Sequence, residues 1–297
     1  MLDINENRPL VCLLGSGGNL GKAVRTILER DSLVEVQPIG WRPHNQAEFR
    51  IVNDSEIESQ NGRIPQLIMN LSNSYFPNPN QNQLLEMRKA IVGVSKILSS
   101  WIREFRTPSI AISSYFQFCP KELRPWSLYS GLKEEARDNL IGAAEEVGAI
   151  LTEFVLFDNY GGDGSRGKFL DIALESQQTA RPMKASPGNQ VLNLSHVLDV
   201  AQTIVQEAYT ILMKDLPSSI SYYTVKSGET LTLRQIVEEI NQVALPNLEV
   251  VWGSAPYRSR EVFEIWEIPY PNHKAFQPRW TLRSYLEHFF SLQRDSI

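Results

Sequence analysis

Along the chain, short apolar runs alternate with longer stretches in which apolar residues recur every three to four positions. The short runs read as strands at 10–14, 33–39, 49–52, 66–71, 109–113 and 150–157. Helical patterns at 20–30, 83–105 and 128–147 lie between them. In the second of these, Ile91, Val94, Ile97, Leu98 and Trp101 keep the 3.6-residue spacing of one buried face. Strands separated by helices predict crossover units and a parallel sheet. After Phe157 the texture changes, with Gly161, Gly162, Gly164 and Gly167 forming an irregular stretch. Helices are then expected at 197–213, 233–243 and 282–292, and strands at 222–225 and 248–251.

Composition narrows the function classes. The 297 residues carry 29 Lys and Arg against 34 Asp and Glu, a formal net charge of −5. An acidic chain of this kind is a poor polyanion binder, so nucleic acid is not an expected partner. Two cysteines, Cys12 and Cys119, cannot build a disulfide framework or a four-cysteine zinc site. His44, His196, His273 and His288 show no ligand spacing, so no metal is expected. The polar start MLDINENRPL lacks the order of a signal peptide. No run of about eighteen apolar residues reads as a membrane span. The expected location is the cytoplasm.

The first strand runs into Gly15-Ser16-Gly17-Gly18-Asn19-Leu20-Gly21 and then directly into a helix. Glycines at this spacing, on a strand-to-helix turn, suit a dinucleotide. Gly15 permits the tight turn, Gly18 lets a pyrophosphate approach the backbone, and Gly21 lets the helix pack closely. The helix N-terminus adds free N–H groups and a positive dipole end. Cofactor choice hangs on the end of the second strand, Pro38-Ile39-Gly40-Trp41-Arg42. No acid stands there to bind a ribose 2′-hydroxyl, and Arg42 is available for a 2′-phosphate. NADP is therefore preferred over NAD, with a solvated loop role the alternative for Arg42.

Further along, Tyr129 and Lys133 stand four residues apart in the 128–147 helical pattern and so share a face. A lysine cation beside a phenol favours the phenolate and suits it to proton transfer. Alone, the pair would read first as an exposed aromatic–cation contact. It follows a strand ending Ile112-Ser113-Ser114, however, where a parallel sheet presents side chains to its ligand crevice. Ser114 can hold a substrate oxygen beside the tyrosine.

With these motifs in this order, the chain resembles the extended short-chain dehydrogenase/reductase family, in particular its nucleotide-sugar epimerase/dehydratase branch. GSGGNLG matches the family's glycine signature, Ser114 its catalytic Ser or Thr, and Tyr129 with Lys133 its Y-x-x-x-K. Asn159-Tyr160-Gly161, Lys168-Phe169, Gly188-Asn-Gln190, the stretch from Ser195 to Asp199 and that from Tyr222 to Ile240 resemble later family segments. The resemblance implies an α/β fold: a Rossmann-type doubly wound parallel sheet with a smaller C-terminal α/β substrate-binding region. The nucleotide-binding domain is expected over 1–160, with a segment returning at about 190–215, and the discontinuous substrate region over 161–297.

The resemblance also implies roles. Ser114, Tyr129 and Lys133 would be catalytic. Gly15, Ser16, Gly17, Gly18, Asn19, Leu20, Gly21, Arg42, Asp54, Leu71 and Ser72 would bind the cofactor together with Tyr129 and Lys133. Asn73, Ser114, Asn159, Lys168, Gln190 and Arg258 would meet a nucleotide-sugar substrate. For Arg258, a surface salt bridge to nearby Glu261 is the competing explanation. A homodimer through the 83–105 and 128–147 helices is the family's habit; the apolar stripe on the first is compatible, and packing on its own sheet explains that stripe equally well.

The short interval from Ser114 to Tyr129, with RPW before the tyrosine, looks most like reductases of 4-keto-6-deoxy nucleotide sugars. Dehydratases of the family place an Asp-Glu pair where Tyr115-Phe116 stands here, so dehydration is disfavoured. A 4-epimerase, with retained cofactor and no net redox change, is the alternative. Four positions depart from the family pattern: Ala90 where an Asn supports a water relay, Leu132 before the lysine, Leu192 in place of a phosphate-binding Arg, and Asn70 in place of a His. Ala90 and Leu192 keep open a third reading, a catalytically silent cofactor sensor.

Overall fold

The computed structural model describes residues 8–39, 49–52, 56–59, 62–76, 78–162 and 167–294. It divides into two compact units. The first takes in Met1–Leu156, Ala201–Thr224 and Ile268–Ala275; the second, Phe157–Val200, Val225–Glu267 and Phe276–Ile297.

The first unit is built on six parallel strands: β1 (Leu10–Leu14), β2 (Glu35–Ile39), β5 (Leu67–Asn70), β6 (Ser109–Ser114), β7 (Leu151–Leu156) and β11 (Ile220–Thr224). Their order across the sheet is β11-β7-β6-β5-β1-β2. This is the doubly wound arrangement, in which the strand sequence reverses beside β1 and the ligand crevice opens at the strands' C-terminal ends. Registers align those ends, with Leu14 beside both Ile39 and Asn70, and Asn70 beside Ala111. Parallel strands covered on both faces need apolar residues throughout, which is why all five positions of β1 are buried.

The helices of this unit are α1 (Asn19–Asp31), α2 (Gln81–Arg88), α3 (Val94–Phe105) and α4 (Leu128–Val147). On one face of the sheet, Cys12, Leu14, Ile68 and Ala111 pack with Val94, Ile97, Leu98 and Trp101 of α3 and Leu140 and Ala143 of α4. The 83–105 pattern is not one regular helix, because a π turn at Lys89–Gly93 joins α2 to α3. A π turn holds one residue more than an α turn and rotates what precedes it. Met87, Ile91 and Val92 thereby form a second cluster with Tyr129, Leu132 and Ala136 of α4.

Two strands differ from their expected places. The 49–52 run is β3 (Phe49–Val52), which pairs antiparallel with β4 (Glu56–Ser59) in a separate hairpin and not in the parallel sheet. Three intervening residues suffice for an antiparallel return, whereas a parallel pairing needs a crossover of a dozen or more. The run at 222–225, expected among the C-terminal elements, lies within and beside β11, which extends the central sheet alongside β7.

In the second unit, β8 (Asp158–Tyr160) runs parallel to β10 (Val191–His196), which pairs antiparallel with β12 (Thr230–Thr232). A second small sheet joins β9 (Met183–Ala185) to β13 (Val250–Trp252). Of these five strands only β13 is approximated by the hydrophobic pattern. Helices α5 (Phe169–Gln178), α7 (Leu233–Val243) and α8 (Leu282–Arg294) pack around them through Leu170, Leu174, Ile236, Ile240, Leu282 and Leu286. The remaining helix, α6 (Val197–Met213), contributes to both units. No helix among the described residues is long and apolar enough to cross a membrane.

Candidate active site

The glycine turn follows β1 directly. Gly15 has φ +79°, and a Cβ there would stand 2.6 Å from the main chain of Leu71 and Ser72. A Cβ at Gly21 would stand 2.0 Å from the Gly15 carbonyl oxygen. Both positions therefore need glycine for steric reasons, and the turn is pressed against the residues that leave β5. Gly18 is the extended N-cap of α1, and its N–H donates to the Gly15 carbonyl at 3.0 Å. The first turn of α1 carries no acid, so its N–H groups face no competing carboxylate from that turn. A close-approach backbone cradle ending in a helix N-terminus fits an anionic diphosphate. Leu71 is buried and Ser72 partly so, with Ser72 donating from Oγ to Asn70 at 2.6 Å; Asn73 is exposed in the same loop. Arg42 and Asp54 lie outside the described residues.

The second half of the site lies at the end of β6. Ser114 is the last residue of that strand and is partly exposed. Its N–H donates to Gln117 Oε1 at 2.8 Å, which fixes the turn that follows. Ser127 then caps α4, accepting from Ser130 N–H, so Tyr129 falls in the first turn and Lys133 one turn later. The Tyr129 ring is mostly buried and meets Tyr75 edge-on, with ring centres 5.1 Å apart. Lys133 is buried, and its ammonium donates to the Ile112 carbonyl at 2.9 Å, two residues before Ser114. Burial pulls the lysine down to about 8, while the Glu153 carboxylate acts in the opposite direction. A cation this close to neutrality, held beside a strand end, is suited to proton handling.

Lys133 does not stand alone behind the sheet. It lines a pocket with Asn70, Ser72, Ser113, Arg137 and Glu153, alongside apolar neighbours. Arg137 Nε meets both oxygens of Glu153, at 2.7 and 3.0 Å, and the Ser113 hydroxyl donates to the same carboxylate. The motif reading missed this network. Its signals were present: an acid within the apolar run of β7, and an arginine one helical turn after the lysine.

The residues expected at the substrate that belong to the second unit occupy separate places within it. Asn159 is buried in β8. Lys168 is the N-cap residue of α5, with its ammonium 4.0 Å from Asp158. Gln190 is buried and donates to Ser186 Oγ at 2.8 Å. Arg258 is exposed, and its N–H, not its guanidinium, donates to Glu261 at 3.2 Å. His196 and Asp199 hold structure: His196 Nδ1 accepts from Leu198 N–H, and Asp199 accepts from the N–H groups of Arg279 and Trp280.

Against known proteins, no family model matches this chain. It is 25% identical over 268 residues to the CDP-abequose synthase of Yersinia pseudotuberculosis, across 85% of this chain and 90% of that protein. Among solved structures, the UDP-glucose 4-epimerase of Thermotoga maritima with UDP-glucose is similar with a TM-score of 0.76 at 15% identity, over 97% and 99% of the two chains. MoeE5 in complex with UDP-glucuronic acid and NAD is similar with a TM-score of 0.71 at 19% identity, over 97% and 99%. These structural likenesses establish the fold, a Rossmann-type parallel sheet with flanking helices.

Proposed function

We propose that this chain, whose motifs, fold and similarities point to the extended short-chain dehydrogenase/reductase family, is an NAD(P)-dependent enzyme acting on a nucleotide sugar. Within that class we assign it the reduction of a nucleotide-linked 4-keto-6-deoxy sugar, with NADP(H) preferred. The observation that carries the reading is the anchoring of Lys133 on Ile112, beside Ser114, with Tyr129 one turn away on the same helix. The similarity to a CDP-abequose synthase along 85% of the chain supports the sugar class.

The glycine cradle at Gly15–Gly21, with Leu71 and Ser72 against it, would hold the dinucleotide. The bound cofactor supplies the hydride. The chain's own residues handle the oxygen and its proton. Tyr129 donates a proton to the oxygen at C4 as negative charge develops there, and Ser114 hydrogen-bonds the same oxygen. Lys133 would hold the cofactor ribose, and its charge favours the phenolate form that Tyr129 reaches on donating. General acid catalysis of this kind contributes roughly 10²–10⁴-fold, the remainder coming from orientation.

The test is to mix the protein with NADPH and a panel of CDP- and UDP-linked 4-keto-6-deoxy sugars. Stoichiometric loss of the 340 nm absorbance is expected. Interconversion of 4-epimers without net cofactor consumption would replace this reading with the epimerase, and cofactor binding with no turnover across the panel would replace it with the sensor.

A further inference from the structure

We propose that Glu153 is a positioning residue for Lys133: it sets how much counter-charge reaches the buried ammonium, and Arg137 competes with the lysine for that charge. The proposal rests on the reading of Lys133 given above.

All six residues of β7 are buried, and Glu153 is the one charged residue among them. A carboxylate in such a place costs several kcal/mol unless it is paired and hydrogen-bonded. Here it is, by Arg137 through both oxygens and by the Ser113 hydroxyl. Arg137 is fixed in turn by Tyr270, to whose hydroxyl it donates at 3.0 Å, and by the Tyr222 ring 5.1 Å beneath its guanidinium. The pair is thus complete without Lys133, whose ammonium bonds a main-chain carbonyl instead. Yet all three charged groups line one pocket, where two cations share one carboxylate.

The other groups around the pocket do not supply a second anion. Asn70 and Ser72, leaving β5, are neutral, and the π turn presents Ile91. On α4, Arg137 lines the pocket one turn after Lys133. Tyr222 of β11 and Tyr270 of the 268–275 segment lie against Arg137. Glu207, the other buried carboxylate beside β7, does not line the pocket and is engaged by Thr152 and His273. Replacing a buried ion pair by apolar side chains of similar volume is commonly neutral or stabilising, so packing alone gives no reason for this one. Its field on Lys133 does. In a medium of low dielectric that field is strong and depends on whether the arginine is present.

The opposing effects of the two partners give the test. The lysine ε-carbon resonances of the full-length protein, without added substrate, are followed by NMR against pH, with Lys133 assigned from its absence in Lys133→Arg. Glu153→Gln is expected to move the Lys133 midpoint at least about one pH unit lower, because two cations then face each other unshielded. Arg137→Met is expected to move it upward, because the whole carboxylate charge becomes available to the lysine. A pair that merely braces the fold would leave the midpoint unchanged, or send both variants the same way as the pocket loosens; either result overturns the proposal. Should Glu153→Gln fail to fold, Arg137→Met decides alone, and an unmoved or lowered midpoint overturns it. Because the titration uses no nucleotide sugar, its outcome is independent of whether one is turned over. The alkaline limb of NADPH oxidation, measured separately, should follow the NMR midpoint in each variant.

Discussion

Lys133 donates to the main-chain carbonyl of Ile112 across 2.9 Å, tying helix α4 to strand β6 two residues before its last residue, Ser114. One hydrogen bond therefore fixes the distance between the two elements that carry the proposed catalytic groups. It also commits a cation to a buried place.

That commitment has a measurable cost. The folded lysine titrates near 8, below its ordinary value of 10.5, with burial the leading cause. Below pH 8 both folded and unfolded chains hold the proton; between 8 and 10.5 the unfolded chain holds it and the folded chain releases it. Stability from this group therefore rises with pH across that window. Lys133→Met should abolish turnover and yet raise stability at pH 7 by on the order of 1–3 kcal/mol. Urea unfolding of both proteins at pH 7 and pH 10 checks this; the gap should narrow at the higher pH.

The glycine turn predicts a second outcome. Gly15→Ala forces a Cβ at φ +79° into the main chain of Leu71 and Ser72, and Gly21→Ala forces one into the Gly15 carbonyl. The φ penalty alone is about 1–2 kcal/mol. Each variant should weaken NAD(P)H binding by at least about tenfold, as read by fluorescence titration. Gly17→Ala meets nothing within 4 Å and serves as the mild comparison.

The proposed preference for NADP(H) rests on Arg42. If that guanidinium meets the 2′-phosphate, Arg42→Ala should cost NADPH about 1.5–3 kcal/mol, roughly tenfold or more in dissociation constant. NADH should be almost unaffected. Calorimetric titration with both cofactors makes the comparison, and equal losses would return Arg42 to the solvated loop.

In the second unit, Asp199 accepts the N–H groups of Arg279 and Trp280, each at 3.1 Å. Asp199→Ala leaves both donors without that acceptor and should destabilise the protein by about 1–3 kcal/mol. Asp199→Asn, which keeps one oxygen, should lose less. Thermal unfolding of the two variants side by side measures the difference.

How much of this could be read from the residues follows from how far each feature reaches along the chain. The Gly15–Gly21 turn and the Tyr129–Lys133 pair are local, set by a strand-to-helix junction and by one helical turn, and the sequence pattern contains both. The middle of the central sheet was legible because β1 and β5 are short, mostly apolar runs, LVCLL and LIMN, whereas β11, ISYYT, carries no such mark and was expected outside it. The pairing of β3 with β4 was not, since a short apolar run carries no mark of the sheet it joins. Nor was the π turn at Lys89–Gly93, a local change of helical period that the spacing of apolar residues does not mark. The Arg137–Glu153 pair bridges two elements and becomes visible only when β7 lies under α4. The four departures at Ala90, Leu132, Leu192 and Asn70 have different fates: Ala90 falls in the π turn and is half-buried, Leu132 joins the cluster around Tyr129, and Leu192 packs on the core of the second unit. Asn70 orients Ser72.

The most direct measurement is the turnover of Tyr129→Phe with its cofactor affinity determined in the same preparation. Removing the phenolic hydroxyl leaves the ring's packing against Met87, Ile91 and Tyr75 in place, so the fold and NAD(P)H binding should be preserved. Conversion of the nucleotide sugar is expected to fall by roughly 10²–10⁴-fold with cofactor affinity nearly unchanged. Turnover at the wild-type rate would contradict it.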